Sequence, residues 1–395
     1  MANSILTPTA VTRESIRVLH QKLNFVGSID RQYDDSFAKS GAKIGDSLKI
    51  RMPNQYVVTT GKTLDAQDTA ETSQTLTVAT QKNVGMNFST AELTLSLDDF
   101  SKRIIEPAMS VLAASVEADA MSMALNVRNS VFGSTASYSD VLAGRVKMQR
   151  GLAPLNDRTA NLNSQDMADV VDGNKALFND QSQIGKQYRE GMMGRVAGFD
   201  FMENTLWPNF TTGADDGAYV CNTSTGITSG TATITVTTGT GAFVVGDTFT
   251  VAGVYSVHPE TKNSTGVLQE FVVTTANAGG SVAIAVSPTP VTSGATQNVT
   301  IVGAGASKTV TVGGTLSTAY TTSLLYQKEA FTFATADLVM PKGVDFAARE
   351  VVDGISLRVV RDYDINNDNL PCRVDILYGY KTLRPDFATR LHYTA

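Results

Sequence analysis

Cysteine and histidine are almost absent from these 395 residues. Cys221 and Cys372 are the only thiols, and His20, His258 and His392 the only imidazoles. Two cysteines cannot build a disulfide framework, and a reducing compartment is the simpler reading. A zinc site draws about three or four ligands from such residues. No C-x-x-C, H-E-x-x-H or histidine cluster occurs, so no metal, cofactor or catalytic residue is expected. No apolar run reaches eighteen residues, so no membrane-spanning helix is expected either. The start, Met1-Ala2-Asn3-Ser4, has no basic or apolar leader, so no secretory signal is expected. Charged residues make up only 18% and net to −6. That balance lacks the cationic excess of a dedicated nucleic-acid binder.

What is present is ordinary globular composition, with 42% hydrophobic residues. The length implies two or three domains, or one with a large insertion. Near the start, Thr12 is placed to cap a short helix, with Glu14 in its first turn and Ile16, Leu19 and Leu23 as a narrow stripe. A terminal arm docked on a neighbouring surface fits this stripe, a loosely packed end being the alternative. Leu48, Ile50 and Met52 alternate, and Tyr56 to Thr60 are strand formers; Gln74 to Gln81 is extended again. These segments predict a long ribbon with little apolar cover, which would lie along another chain.

Two capping signals follow, Ser89 with Glu92 and Ser96 with Asp99. A helical pattern runs from Leu97 to about Val131. One stripe holds Phe100, Ile104, Ala108 and Val111, and another Ile105, Met109, Leu112, Val116, Met123 and Val127. Two stripes predict burial on more than one side, and Pro107 predicts a kink or break. Tyr138 to Arg150 is a further helix stopped by Gly151, with Pro154 beyond. Thr159 to Leu162 reads as a strand, Ser164 to Phe178 as a helix, and Gly194 to Phe201 as a strand running into Met202-Glu203-Asn204.

Between Thr223 and Ser323 the composition changes. Only Asp247, Glu260, Lys262, Glu270 and Lys308 are charged, so this is a separate folding unit. Threonine and glycine dominate, with Val and Ile alternating at 232–236, 249–251, 271–273, 282–286, 299–302 and 310–312. Six or seven short strands predict an antiparallel barrel or sandwich. A mixed pattern then resumes, with Phe331 to Ala334 extended. Ile355 to Tyr363 and Cys372 to Tyr378 form a hairpin across Asp364 to Asp368.

None of the chemistry-bearing motifs survives inspection. Val302-Gly303-Ala304-Gly305-Ala306-Ser307-Lys308-Thr309 lacks the glycines of a phosphate loop and leads into a strand rather than a helix. Asp362 to Asp368 begins like a calcium loop, but Asn367 and Arg373 stand where glycine and glutamate belong. The pairs Asp34-Asp35, Asp98-Asp99 and Asp215-Asp216 point different ways and suit turns and helix starts. His258 lies in a charged loop without a nucleophile, and the two cysteines read as inert.

The residues Ser96-Leu97-Asp98-Asp99-Phe100, Pro154 with Arg158, and Gly194-Arg195-Val196-Ala197-Gly198-Phe199-Asp200 carry a resemblance. So do Phe249-Thr250-Val251-Ala252-Gly253-Val254 followed by His258 and Thr261-Lys262, Glu329-Ala330-Phe331-Thr332, and Arg373-Val374-Asp375-Ile376-Leu377-Tyr378-Gly379. In this order the chain resembles the major capsid (coat) proteins of tailed bacteriophages, the Hong-Kong-ninety-seven fold. Within them it resembles the phage P-twenty-two type with its inserted β-barrel domain. The resemblance implies an α+β fold with an N-terminal arm (1–46), an extended E-loop hairpin (47–88), a peripheral domain with the spine helix (89–135) and an α/β axial domain (136–222). It further implies an inserted antiparallel β-barrel domain (223–323) and a return to the axial and peripheral domains (324–395). It implies a virion structural protein that self-assembles as pentamers and hexamers of an icosahedral shell around double-stranded DNA, touched only weakly. A separate scaffolding protein, a portal protein, assembly in the host bacterial cytoplasm and procapsid maturation by expansion are also implied; no membrane, catalytic site, cofactor or metal is. The alternatives are a surface adhesin or binding protein built on the Thr-rich unit, and an acid–base hydrolase.

Overall fold

The structure is a computed structural model. It describes residues 8–34, 47–62, 64, 66–67, 72–89, 104–173, 193–215, 217–365 and 369–394. Glu92 of the first capping signal, the second signal Ser96 with Asp99, Asp98-Asp99, Asp35, Asp216 and the tip 366–368 lie outside the described residues. The chain divides into two compact units. One comprises residues 1–50, 73–122 and 331–383, the other 51–72, 123–330 and 384–395.

The first unit is built on a sheet ordered Asp30–Asp34, Phe331–Ala336, Asn369–Thr382, Ile355–Arg361 and Phe346–Val352, with Thr80–Ser89 also paired to Asn369–Thr382. The predicted hairpin of Ile355–Arg361 with Asn369–Thr382 is there, in antiparallel register. Phe346–Val352 is a strand the sequence reading missed. It returns through Asp353-Gly354, both at positive φ (49° and 76°), the two-residue turn that matches strand twist.

The N-terminal helix spans Pro8–Lys22. Thr12 therefore lies inside it, buried, and does not cap it. Ile16, Val18 and Leu19 are buried within the unit, where the helix packs on Glu106–Met121 and Phe346–Val352. This corrects the expectation of an arm docked elsewhere: the described part of 1–46 uses its apolar stripe at home. Asp30–Asp34 then adds in parallel to Phe331–Ala336.

At its C-terminal end the spine helix stops earlier than its periodicity predicts. Regular α-helix spans Glu106–Met121, a 3-10 segment follows to Asn126, and Ser130–Gly133 is a strand. Pro107 lies in the first turn of this regular stretch, directly after the π-helical Ile104-Ile105, so the regular α-helix is interrupted next to it, in keeping with the expected kink or break. Met109, Leu112, Ala113, Val116 and Ala120 are buried, whereas Val111 is 66% exposed. Only one of the two predicted stripes is covered. The 21 residues of Glu106–Asn126 are long and apolar enough to cross a membrane by composition alone, contrary to the reading by uninterrupted runs. The helix carries Glu117 and Asp119, however, and both are used inside the unit. Asp119 pairs with Lys82 at 2.7 Å and accepts from the Tyr378 hydroxyl at 2.6 Å.

Glu117 is buried and accepts from the backbone N–H groups of Phe25 and, at 3.4 Å, Val26. Its carboxylate thereby ends the exposed backbone of the short helix Phe25–Ser28. Glu117→Ala strands two buried donors, and an expected loss of about 3 kcal/mol follows. Glu117→Gln keeps acceptor capacity and costs about 1 kcal/mol. Thermal unfolding of both variants checks the order.

In the second unit, a mixed sheet runs Ser130–Gly133, Ala388–Thr394, Ala319–Gln327, Arg158–Leu162, Phe199–Glu203 and Arg195–Val196, with Phe210–Thr211 on Ala319–Gln327. Helix Tyr138–Arg150 forms as predicted. Ser137 Oγ accepts from Asp140 N and donates to Asp140 Oδ2 at 2.7 Å. Gly151 stops it without a left-handed turn, since its φ is −79°. A Cβ there would lie 2.8 Å from the carbonyl oxygen of Asp386, so close approach is what requires glycine. The single strand expected over 194–204 is instead a hairpin, Arg195–Val196 with Phe199–Glu203, turned by Ala197 and Gly198 at positive φ.

The Thr-rich segment forms seven strands: Val220–Cys221, Thr233–Thr237, Thr248–Val257, Ser264–Val273, Val282–Ser287, Val299–Ile301 and Lys308–Val312. Six close into a barrel because Thr248–Val257 pairs with Ser264–Val273, and Val299–Ile301 adds outside to Thr248–Val257. Alternation does the sorting. Ile234 and Val236 point inward, while Thr235 and Thr237 face solvent. Tyr219, Phe243, Phe249 and Phe271 form a chain of rings through the core, with centroids 4.8–6.0 Å apart. Ala319–Gln327, next in sequence, belongs to the mixed sheet and not to the barrel.

Candidate functional site

The motifs set aside on sequence grounds lie where their turn chemistry puts them. Val302 to Ser307 is the connection between Val299–Ile301 and Lys308–Val312, with Gly303 and Ser307 at positive φ. His258 Nδ1 accepts from the backbone of Glu260 and Thr261, both at 3.3 Å, and so closes its own loop. Asp215 is buried and accepts from Gly217 N at 3.1 Å. Asp364 bridges to Asn369 at the base of the hairpin tip. Among the described residues no group of three or more His, Cys, Asp or Glu side chains could hold a metal ion.

Cys221 and Cys372 are buried and free, and burial pushes both thiols up to about 11. Reaction with a disulfide reagent at neutral pH is therefore expected only on unfolding. Titration of the native and urea-unfolded chain should give near zero and two thiols respectively.

Two arrangements stand out instead. The first is the ribbon. Ser47–Arg51 pairs with Ser73–Thr77, and its base packs on the chain's own sheet, where Leu48, Ile50 and Leu76 meet Ala334, Ala336 and Leu377. The expectation that the whole ribbon lies along another chain is thus corrected for its base. Beyond it the legs are tied sparsely. Met52 N donates to Thr72 O at 2.8 Å, and the Gln67 amide accepts from Val57 N at 2.9 Å and donates to Val57 O. These bonds hold the loop extended without covering it: Tyr56 is 56%, Val58 90% and Leu64 89% exposed. Thr80–Ser89, the end of the segment read as ribbon, is instead a sheet strand.

The second is the root of the barrel, where the chain enters after Phe210–Thr211 and leaves before Ala319–Gln327. The two crossings are bonded to each other. Thr212 N donates to Thr318 O at 3.1 Å, Ser317 N to Gly213 O at 3.0 Å, and Thr212 Oγ1 to Thr315 O at 2.5 Å. Asp247 is buried beneath them and accepts from Val244 N at 2.7 Å and Gly213 N at 3.2 and 3.3 Å. Burial is the main cause raising its carboxyl above the usual range. Arg390, fully buried on the C-terminal strand, donates to Gly246 O at 2.6 Å. Its guanidinium lies 5.5 Å from the centre of the Phe210 ring. Burial lowers Arg390 to about 10, against the pull of Asp247 and Glu270. Lys147 pairs with Glu270 and donates to Ser130 O at 2.6 Å, while Ser130 Oγ and Thr248 Oγ1 share a 2.7 Å bond. Reading by sequence found none of this. Asp247 and Glu270 stood out only as rare charges in the Thr-rich segment, and a buried Arg390 leaves no periodic signal.

No curated protein matches the chain. Solved capsid structures resemble it at low identity. The Mycobacterium phage Che8 chain is 11% identical over 93% of this chain and 90% of its own, with a TM-score of 0.46. The mature capsid of bacteriophage PhiM1 is 12% identical over 94% and 87%, with a TM-score of 0.46. The capsid of Ralstonia phage GP4 is 7% identical over 93% and 87%, with a TM-score of 0.47. Likenesses this weak carry no argument; membership rests on the family match. That match, to the family described as P22 coat protein, gene protein 5, runs from residue 7 to 390. An exposed ribbon, a barrel bonded into a mixed sheet and a family match over nearly its whole length place the chain in the P22 coat protein family, as a structural protein of a phage capsid.

Proposed function

We propose that this coat protein builds the icosahedral head of a tailed bacteriophage around double-stranded DNA, with a separate scaffolding protein and a portal protein as partners. The shell assembles in the host bacterial cytoplasm as a precursor and matures by expansion. The ribbon is the part that overlaps a neighbouring subunit, the spine helix belongs to the peripheral domain, the mixed sheet to the axial domain, and the barrel links capsomers. The observation that carries this reading is the ribbon, which leaves Val58 and Leu64 bare on the isolated chain. Apolar side chains at that exposure gain about 1.5–3 kcal/mol each when covered, and repetition over a closed shell multiplies the gain. The net charge of −6 suits a container that does not trap its cargo. The test is electron microscopy of the purified chain with its scaffolding protein. Closed shells are expected; a chain that stays monomeric in light scattering at every concentration overturns the reading.

A further inference from the structure

His392 is buried directly under the barrel root. Its ring stacks on Phe132 at 4.8 Å between centroids and 23° between planes, lies 5.1 Å from Phe210, and meets Tyr320 edge-on at 6.2 Å. Each wall of this cage is also a support of the barrel. A Cβ on Gly313 or Gly314, at the exit crossing, would strike the Phe132 ring at 2.6 and 2.8 Å. A Cβ on Gly246 would strike Phe210 at 3.0 Å. The Tyr320 hydroxyl accepts from Thr315 N at 2.8 Å. His392 therefore fills the space on which the entry crossing, the exit crossing and the loop before Thr248–Val257 all rest.

We propose that His392 is an acid-sensitive latch for the barrel: neutral, it completes the aromatic cage; protonated, it loosens the two crossings from the sheet. The surroundings of the ring explain why. Its own strand supplies Arg390, already a buried cation, two residues away. The Ala319–Gln327 strand supplies Tyr320 and Thr322, whose Oγ1 lies 3.5 Å from Nδ1. Ser130–Gly133 and Phe210–Thr211 supply only rings, Phe132 and Phe210. The carboxylates at the root are committed elsewhere, Asp247 to backbone N–H groups and Glu270 to Lys147 and Ser130 N. A proton on His392 thus adds charge beside Arg390 in a buried site without a free carboxylate among the described residues.

The sign follows from linkage. Burial first, then Arg390, holds the imidazole well below its ordinary value. A histidine depressed in the folded state stabilises the fold above its unfolded value, about 6.5, and the contribution drains away as pH falls below that. Asp247 works in the opposite direction. Its carboxyl is raised by burial, so its contribution to stability is lost as pH rises, and acid loosening cannot come from it.

The test is amide hydrogen exchange on the full chain at Thr212, Gly213, Ser317 and Thr318 between pH 7 and 5, corrected for intrinsic rates. One proton taken up on opening raises the opening equilibrium about twentyfold over this range. His392→Phe fills the cage and cannot titrate, so its opening is expected to be flat with pH. His392→Gln provides the same comparison if the phenylalanine does not fold. A wild-type profile that is flat, or variants that keep the wild-type slope, overturns the proposal.

Discussion

Changing Val58 and Leu64 together to aspartate is expected to abolish closed shells and leave folded, soluble subunits. Both side chains are almost fully exposed, so the change removes no contact in the subunit. The melting transition should move by no more than about 0.5 kcal/mol. The proposed overlap with a neighbouring subunit would cover the same positions in the shell. Each substitution there forfeits roughly 1.5–3 kcal/mol of apolar burial and adds the cost of desolvating a carboxylate. About 3 kcal/mol per contact already weakens it more than a hundredfold, and a shell multiplies the deficit over every copy. Sedimentation and electron microscopy decide the matter. Normal shells from the double variant would mean that the ribbon tip contributes nothing to assembly. Gln67→Ala gives a graded version: it frees Val57 from the side-chain clamp, so the tip loses preorganisation but no apolar surface. Assembly should slow without stopping.

The parts of the fold that could be read from sequence are those in which local rules and tertiary structure agree. Tyr138–Arg150 carries its own cap in Ser137 and Asp140. The barrel strands alternate Ile or Val with Thr because one face is core and the other water. The ribbon was legible through a mismatch, strand formers without apolar cover. Other elements were hidden because tertiary contacts override local pattern. Thr12 looks like a cap but is covered inside a helix that begins at Pro8. The apolar repeat through Met123 and Val127 persists past the last α-helical turn, since both remain buried in a 3-10 segment and the residue after it. Phe346–Val352 contains Ala, Arg and Glu, poor strand formers, and is held by pairing with Ile355–Arg361. Its one local signal was the Asp353-Gly354 turn. The barrel root was least legible of all. Ala388–Thr394 is buried on both faces, Arg390 and His392 included, and no local rule places an arginine and a histidine in a core.

The same root gives the largest stability effect within the subunit. Asp247 joins three things: the entry crossing through Gly213 N, its own loop through Val244 N, and the charge of the buried Arg390. Asp247→Ala leaves two donors unsatisfied and a buried cation without its main opposing charge. Two stranded buried donors cost about 3 kcal/mol. Asp247→Asn retains one acceptor oxygen and should cost about 1–2 kcal/mol. Asp200→Ala, which breaks the exposed pair with Arg195 in the same unit, serves as a control and should stay within about 0.5 kcal/mol. Trp207 is the sole tryptophan. Its indole N–H donates to Asn161 Oδ1 at 2.8 Å inside the same unit, so its fluorescence follows urea unfolding there. The midpoint is expected to fall in the order control, asparagine, alanine, with the slope unchanged. If alanine and asparagine shift the midpoint equally, hydrogen bonding at Asp247 is not what holds the crossing. If neither shifts it, the barrel rests on the cage of Phe132, Phe210 and Tyr320 alone.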